Sequence, residues 1–252
     1  MNLASFLLRH TPALSLAALL CAGSSAAAKP FTFDAPTELT AVVTNGNVDL
    51  HWKNNATAPG GVWVEFTTPG DEFTKLEPEW PETTTYRHPD VAPETQFIYR
   101  IHPFYGQPSA EVLITTGKPV TGTTNLDEEG PLPPTGKETT DKKKSIRNLA
   151  TFAEAAPDGV TAKLSSPTSV ELRWNDRASD EEGYLVEVAA VGEKEFKLCA
   201  LLPADATSFR KTQLPAETKC RFRVRAFFYG ESSNRATVTT LPLKPNLPKA
   251  TP

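Results

Sequence analysis

Apolar and polar residues alternate along most of this chain in short runs broken by turn formers. LTAVV, NVDLHW, GGVWVEF, EFTKL, TTTYRH, TQFIYRIHPFY and SAEVLITT follow one another between Leu39 and Thr116. They are separated by turns such as Asn45-Gly46, Pro59-Gly60-Gly61 and Pro69-Gly70. A second series, VTAKL, SVELRW, GYLVEVAAV, EFKLCALL, TSFRKT, KCRFRVRAFF and ATVTTL, runs from Val160 to Leu241. A period of two in short segments, with no helical period between them, predicts two antiparallel β-sandwiches.

The two series are copies. With Thr95 set on Thr218, Phe97, Tyr99 and Ile101 fall on Cys220, Phe222 and Val224, and PFYG is answered by FFYG. Each copy is roughly 85 residues, viable but small for a core of its own. The expected organisation is a signal peptide at 1–28, one sandwich at 34–117, a linker at 118–155, a second sandwich at 156–241 and a disordered tail at 242–252. The linker, rich in Thr, Pro and Gly, carries too little apolar surface to offset ordering entropy, which predicts a mobile tether with at most a short helix in SIRNLATFAEA.

Charge removes one class of partner. With 26 Lys+Arg against 30 Asp+Glu and a formal net charge of -4, no global field attracts nucleic acid or an anionic membrane. The N-terminus places Arg9 and His10 before an apolar run, Ala13–Leu20, and then small residues ending at Ala28. That order is a secretory signal, too short in its apolar part to anchor the chain, so the protein is expected to be secreted or periplasmic. Leu20 ahead of Cys21 disfavours lipidation, which needs a small residue there. No later stretch approaches the length needed for a transmembrane segment.

The order SVELRWND, DEEGYLVEV, EFKL, LPAETKCRFRVRAFFYGESSN resembles a fibronectin type III domain, most like those of exported bacterial proteins. VDLHW, GVWVEF, EFTKL and VAPETQFIYRI repeat the resemblance more loosely. It implies an immunoglobulin-like sandwich in which strand F is central, so that Phe97, Tyr99 and Ile101, and Cys220, Phe222, Val224 and Ala226, fill the two cores beside Trp52 and Trp174. The family's corner tyrosine is replaced by Phe97 and Cys220, leaving that bend without its hydroxyl tie. The same topology puts Cys199 and Cys220 on strands separated by a third, about 9.5 Å apart, beyond the roughly 7 Å limit for a bridge unless the sheet bends.

The residues offer little chemistry. His51, His88 and His102 have no metal-ligand spacing, and no nucleophile elbow or phosphate loop occurs. Asp176, Asp180, Glu181 and Glu182 lack the alternating ligands of a calcium loop and read as turn and capping groups. Glu77, Glu79 and Glu82 read as a solvated loop. No cofactor and no catalytic residue is predicted, and neither an RGD tripeptide nor a W-S-x-W-S box is present. Asn55-Ala56-Thr57 is a sequon, relevant only to a eukaryotic source.

What remains is surface. Alternation sends Leu185, Glu187, Arg221, Arg223 and Arg225 outward in the second copy, and Trp63, Glu65, Ile98, Arg100 and His102 outward in the first. An outward tryptophan beside isoleucine makes the Trp63 face the candidate partner surface. The function expected is a non-catalytic module binding an unidentified protein or glycan at the cell exterior. The alternatives are a structural spacer with no ligand and, behind it, an enzyme of unrecognised type.

Overall fold

The computed structural model describes residues 30–58, 60–118, 128–133 and 142–242. The expected signal peptide, two pieces of the expected tether and the tail beyond Pro242 lie outside the described residues. Among those described, every regular element is a strand and every pairing between strands is antiparallel. No helix there is long and apolar enough to cross a membrane.

In the first half, β1 (Thr37–Thr44), β2 (Asn47–Lys53) and β5 (Thr85–His88) form one sheet in the order β1-β2-β5. It faces β3 (Gly60–Thr67), β4 (Thr74–Glu79) and β6 (Gln96–Tyr105). Between the layers lie Val48, Leu50, Trp52, Val62, Val64, Phe97, Tyr99 and Ile101, the apolar members of each alternation. The second half repeats this with β8 (Asp158–Ser166), β9 (Ser169–Asn175) and β12 (Ser208–Lys211) facing β10 (Gly183–Ala190), β11 (Lys197–Pro203) and β13 (Lys219–Tyr229). Trp174, Phe222, Val224 and Ala226 lie in its core, as strand alternation requires.

The last strand of each series does not return to its own half. β7 (Val112–Thr115) pairs with β13 of the second half, and β14 (Ala236–Thr239) pairs with β6 of the first. Between these exchanged strands, β13 and β6 meet directly at Phe228 and Tyr229 against Tyr105 and Phe104. One eight-stranded sheet thus runs through both halves along β11-β10-β13-β6-β3-β4. The repeated F-Y-G motif forms the crossing. A Cβ on Gly106 would stand 1.9 Å from the Ala226 carbonyl oxygen, and one on Gly230 would stand 2.4 Å from the Tyr105 ring, so only glycine lets the chains pass.

The exchange is held twice by matching bonds. Ser109 N donates to Val224 O (2.8 Å) while its Oγ accepts from Val224 N (3.0 Å); Ser233 does the same with Ile101 O (2.9 Å) and Ile101 N (2.9 Å). Further along, Thr116 Oγ1 donates to Pro215 O (2.6 Å) and accepts from Thr218 N (2.8 Å). Its counterpart Thr240 donates to Ala92 O (2.6 Å) and accepts from Thr95 N (2.9 Å). These are the corners that lack the tyrosine. The missing hydroxyl tie is supplied in each case by a threonine on the strand arriving from the other half.

The expected mobile tether is corrected over its described parts. Gly130 and Arg210 exchange backbone bonds of 3.2 and 2.8 Å, and Glu129 accepts from Thr212 N (3.1 Å), extending the second half's sheet at β12. Lys144 N donates to Arg177 O (2.7 Å). Ile146, Phe152 and Ala155 are fully buried in the second core, where Phe152 meets Phe31 and Phe33 of the first half, both at 5.2 Å. The three are too sparse to show a period, yet they plug the end of a sandwich. The segment around them forms turns rather than the suggested helix.

Candidate binding cleft

Alternation places Trp63 and Glu65 on the opposite face of β3 from Val62, Val64 and Phe66, as expected, but that face is not open. Trp63 is 5% exposed and packs with Phe104, Leu185 and Phe227, the last two from the second half. Lys75 Nζ lies 5.4 Å from its ring centre, and its indole N–H has no hydrogen-bond partner. Glu65 is buried too. Its carboxylate accepts from Arg100 Nε at 2.5 Å and meets His102 Nδ1 at 3.2 Å. Burial works to raise the Glu65 pKa, but the bonds from His102 and Arg100 outweigh it and hold the carboxyl below its ordinary value. Arg100 stacks on Phe73 at 4.0 Å, and half-buried Ile98 lies between Thr67 and Thr237 in the sheet. The five residues stand close together, but as structure within and under the joined halves rather than as an exposed patch. The physical reason is the shared sheet, whose outer surface folds over its own seam.

The second half repeats the arrangement. Glu187, fully buried, is bonded by Arg223 and by Arg225 Nε at 2.8 Å, while Arg225 also donates to the Gly106 carbonyl at the crossing. In the first half His102 takes the place of Arg225, and its ring stacks 4.6 Å from Tyr229 of the second half. The arginine row of β13 therefore pairs with carboxylates, as cross-strand charge does. Arg221 completes it with Glu111 at 3.2 Å.

Beside this row the exchange opens a cleft of about 880 Å³ between the halves. One wall is Glu79 at the end of β4 with the loop Trp80-Pro81-Glu82 of the first half, and the other is Lys194-Glu195-Phe196 with Arg221 and Arg223 of the second; Gln107, Pro108 and Glu111 of the crossing segment close it. The guanidinium of Arg223 lies over the Phe196 ring, 4.0 Å from its centre, and that of Arg225 sits 5.9 Å from Trp80. Of the four tryptophans, Trp52, Trp63 and Trp174 are buried, whereas Trp80 is partly exposed in the cleft. Burial, with the Glu77 charge added, raises the pKa of Glu79 beside it. Glu77 and Glu79, expected in a solvated loop with Glu82, lie instead on β4, and that expectation passed over Trp80. The signal was a tryptophan held between glutamates and proline, where no strand alternation accounts for it.

The acidic loop before β10 is structural. Asp180 accepts from Ile146 N (2.7 Å) and Ser145 Oγ (2.6 Å), and Asp176 accepts from Ala178 N (2.9 Å) and from the Tyr184 hydroxyl (2.5 Å). Asp176, Glu181 and Asp205 bring carboxylate oxygens within 4.8 Å of one another. The Lys143 ammonium already sits among them, 2.5 Å from Asp176 and 2.7 Å from Asp205. The histidines are dispersed, His88 against the Tyr99 hydroxyl at 2.9 Å and His102 at Glu65. Cys199 and Cys220 are both free, on β11 and β13 with β10 between them.

No family model and no curated protein matches the chain. Solved structures similar to it include the FN1–FN3 domains of chicken CNTN1, at 18% identity over 83% of this chain and 68% of that one, with a TM-score of 0.28. A two-domain fibronectin type III segment of chicken tenascin is 11% identical over 82% of this chain and all of that one, with a TM-score of 0.27. A Fn3-like protein from Clostridium thermocellum is 26% identical over 29% and 74%, with a TM-score of 0.24.

Proposed function

We propose that this chain is an exported, non-catalytic binding module whose ligand, a protein or glycan at the cell exterior, seats in the cleft beside Trp80. One observation carries the reading: the crossing of the halves builds a concavity in the size range of ligand sites, about 300–1,000 Å³, and leaves the one tryptophan that is not buried on its wall. An aromatic platform with stacked guanidiniums and carboxylates around it suits an extended polar polymer, sugar or peptide, through ring stacking and hydrogen bonds. The Trp63 face is no longer the candidate, because the second half occupies it.

The competing reading is a spacer with no ligand, and the burial of Trp63 favours it, since that apolar surface is spent joining the halves. A glycan array and a capture from extracellular proteins, each run with the wild type and Trp80→Ala, separate the two. The binding reading expects a ligand that quenches or shifts the fluorescence of Trp80 and is held at least tenfold more weakly by the variant. Capture by neither form leaves the spacer, and capture by both alike overturns the placement of the site beside Trp80.

A further inference from the structure

Each half lacks its own closing strand and receives one. The bonds that hold β7 on β13 and β14 on β6 involve Ser109 with Val224, Ser233 with Ile101, Thr116 with Thr218 and Thr240 with Thr95. None of them depends on donor and acceptor belonging to one molecule. The same holds for the crossing of Tyr105 and Phe104 with Phe228 and Tyr229. From the structure we infer that a second copy of this chain is a partner: the first half of one molecule closes on the second half of another, with every exchanged strand bonded as it is within one chain.

Connectivity decides whether this can happen. From Gly106 to Glu111 and from Gly230 to Arg235 the chain crosses directly from one half to the other, so these segments stay unchanged in an exchange between copies. Among the described residues no segment has to change its course; the first half ends at Lys118 and the second resumes at Glu128. Lys118 is anchored to the second half by Glu217 at 3.7 Å, and Glu129 by Lys211 at 2.8 Å. Between copies these two anchors sit on different molecules. Ten residue steps span at most about 35 Å when extended, enough to join two sandwiches lying side by side. A closed pair follows if each first half takes the other's second half.

Because the bonds are the same in both forms, concentration during folding selects between them. A covalent link of this kind gives one half an effective concentration around the other on the order of 1 mM. Well below that the chain closes on itself; near it, copies exchange. Once closed, a pair separates only by breaking β7 from β13, β14 from β6 and the crossing of β13 with β6 together, so it persists. Such a pair carries two clefts, a consequence that, unlike the exchange, rests on the binding reading above.

The test unfolds an equimolar mixture of tagged and untagged full-length chain and refolds it at ~10 μM and ~1 mM, followed by light scattering on a sizing column. Dimer should be under a tenth at the lower concentration and about half at the higher. Mixed tagged and untagged dimers should survive dilution for hours, with the Ile101 and Val224 amides as protected from hydrogen exchange as in the monomer. Monomer alone at both concentrations overturns the inference. So does a dimer that falls apart within minutes of dilution, or one in which those amides exchange freely.

Discussion

Replacing Thr240 by valine removes one hydroxyl and leaves the side-chain shape nearly unchanged. That hydroxyl is buried on the last residue donated to the first half, donating to Ala92 O and accepting from Thr95 N. Two bonds at roughly 1 kcal/mol each are lost, and the Thr95 N–H is left partly unpaired, so the expected cost is about 2–3 kcal/mol. The location of the loss matters more than its size. Thr240 belongs by sequence to the second copy but ties the corner of the first, so its removal should weaken the whole molecule. In urea or thermal unfolding followed by circular dichroism, a single transition should move down, by about 5–10 °C for a chain of this size. Thr116→Val, its counterpart at the Pro215–Thr218 corner, should shift the same transition. Two transitions of which only one moves, or a change below about 0.5 kcal/mol, would refute the reciprocal latch.

Two further outcomes follow from Glu65 and Cys220, which are buried, and Cys199, which is half-buried. Burial pushes the Cys199 thiol up to about 12 and raises that of Cys220, so at pH 8 Cys199 is about one part in ten thousand thiolate. Both should resist alkylation in the native protein and both should react once it is unfolded; a missing thiol in the unreduced, unfolded chain would show a bridge. Glu65 has a folded pKa below its unfolded value, so its contribution is present above about pH 4.3 and is lost as pH falls through the folded value. Glu65→Gln should therefore lower stability at pH 7 and flatten the acid limb of the stability profile, and an unchanged limb counts against the Glu65, Arg100 and His102 cluster.

Local alternation determined which residues face inward. Phe97, Tyr99, Ile101, Phe222 and Val224 had to share a face with Trp52 or Trp174 whatever the strands beside them, because successive side chains in a strand point to opposite sides. It could not determine which edge a strand completes. VLIT and ATVT are both four-residue strands flanked by the same anchors, Ser109 and Thr116 in one and Ser233 and Thr240 in the other, and the edges of β6 and β13 offer them equivalent backbone groups, so pairing with the near copy or the far one reads identically in the sequence. Only the tertiary structure chose, through the crossing at Gly106 and Gly230, and three results depended on that choice. Trp63, correctly placed on the outer face, became buried because the second half lies on it. Phe152, in a stretch too polar to predict a fold, became core because the end of a sandwich stands open there. Trp80, on a loop with no period to read, became the wall of a cleft because residues far apart in the chain were brought across from it.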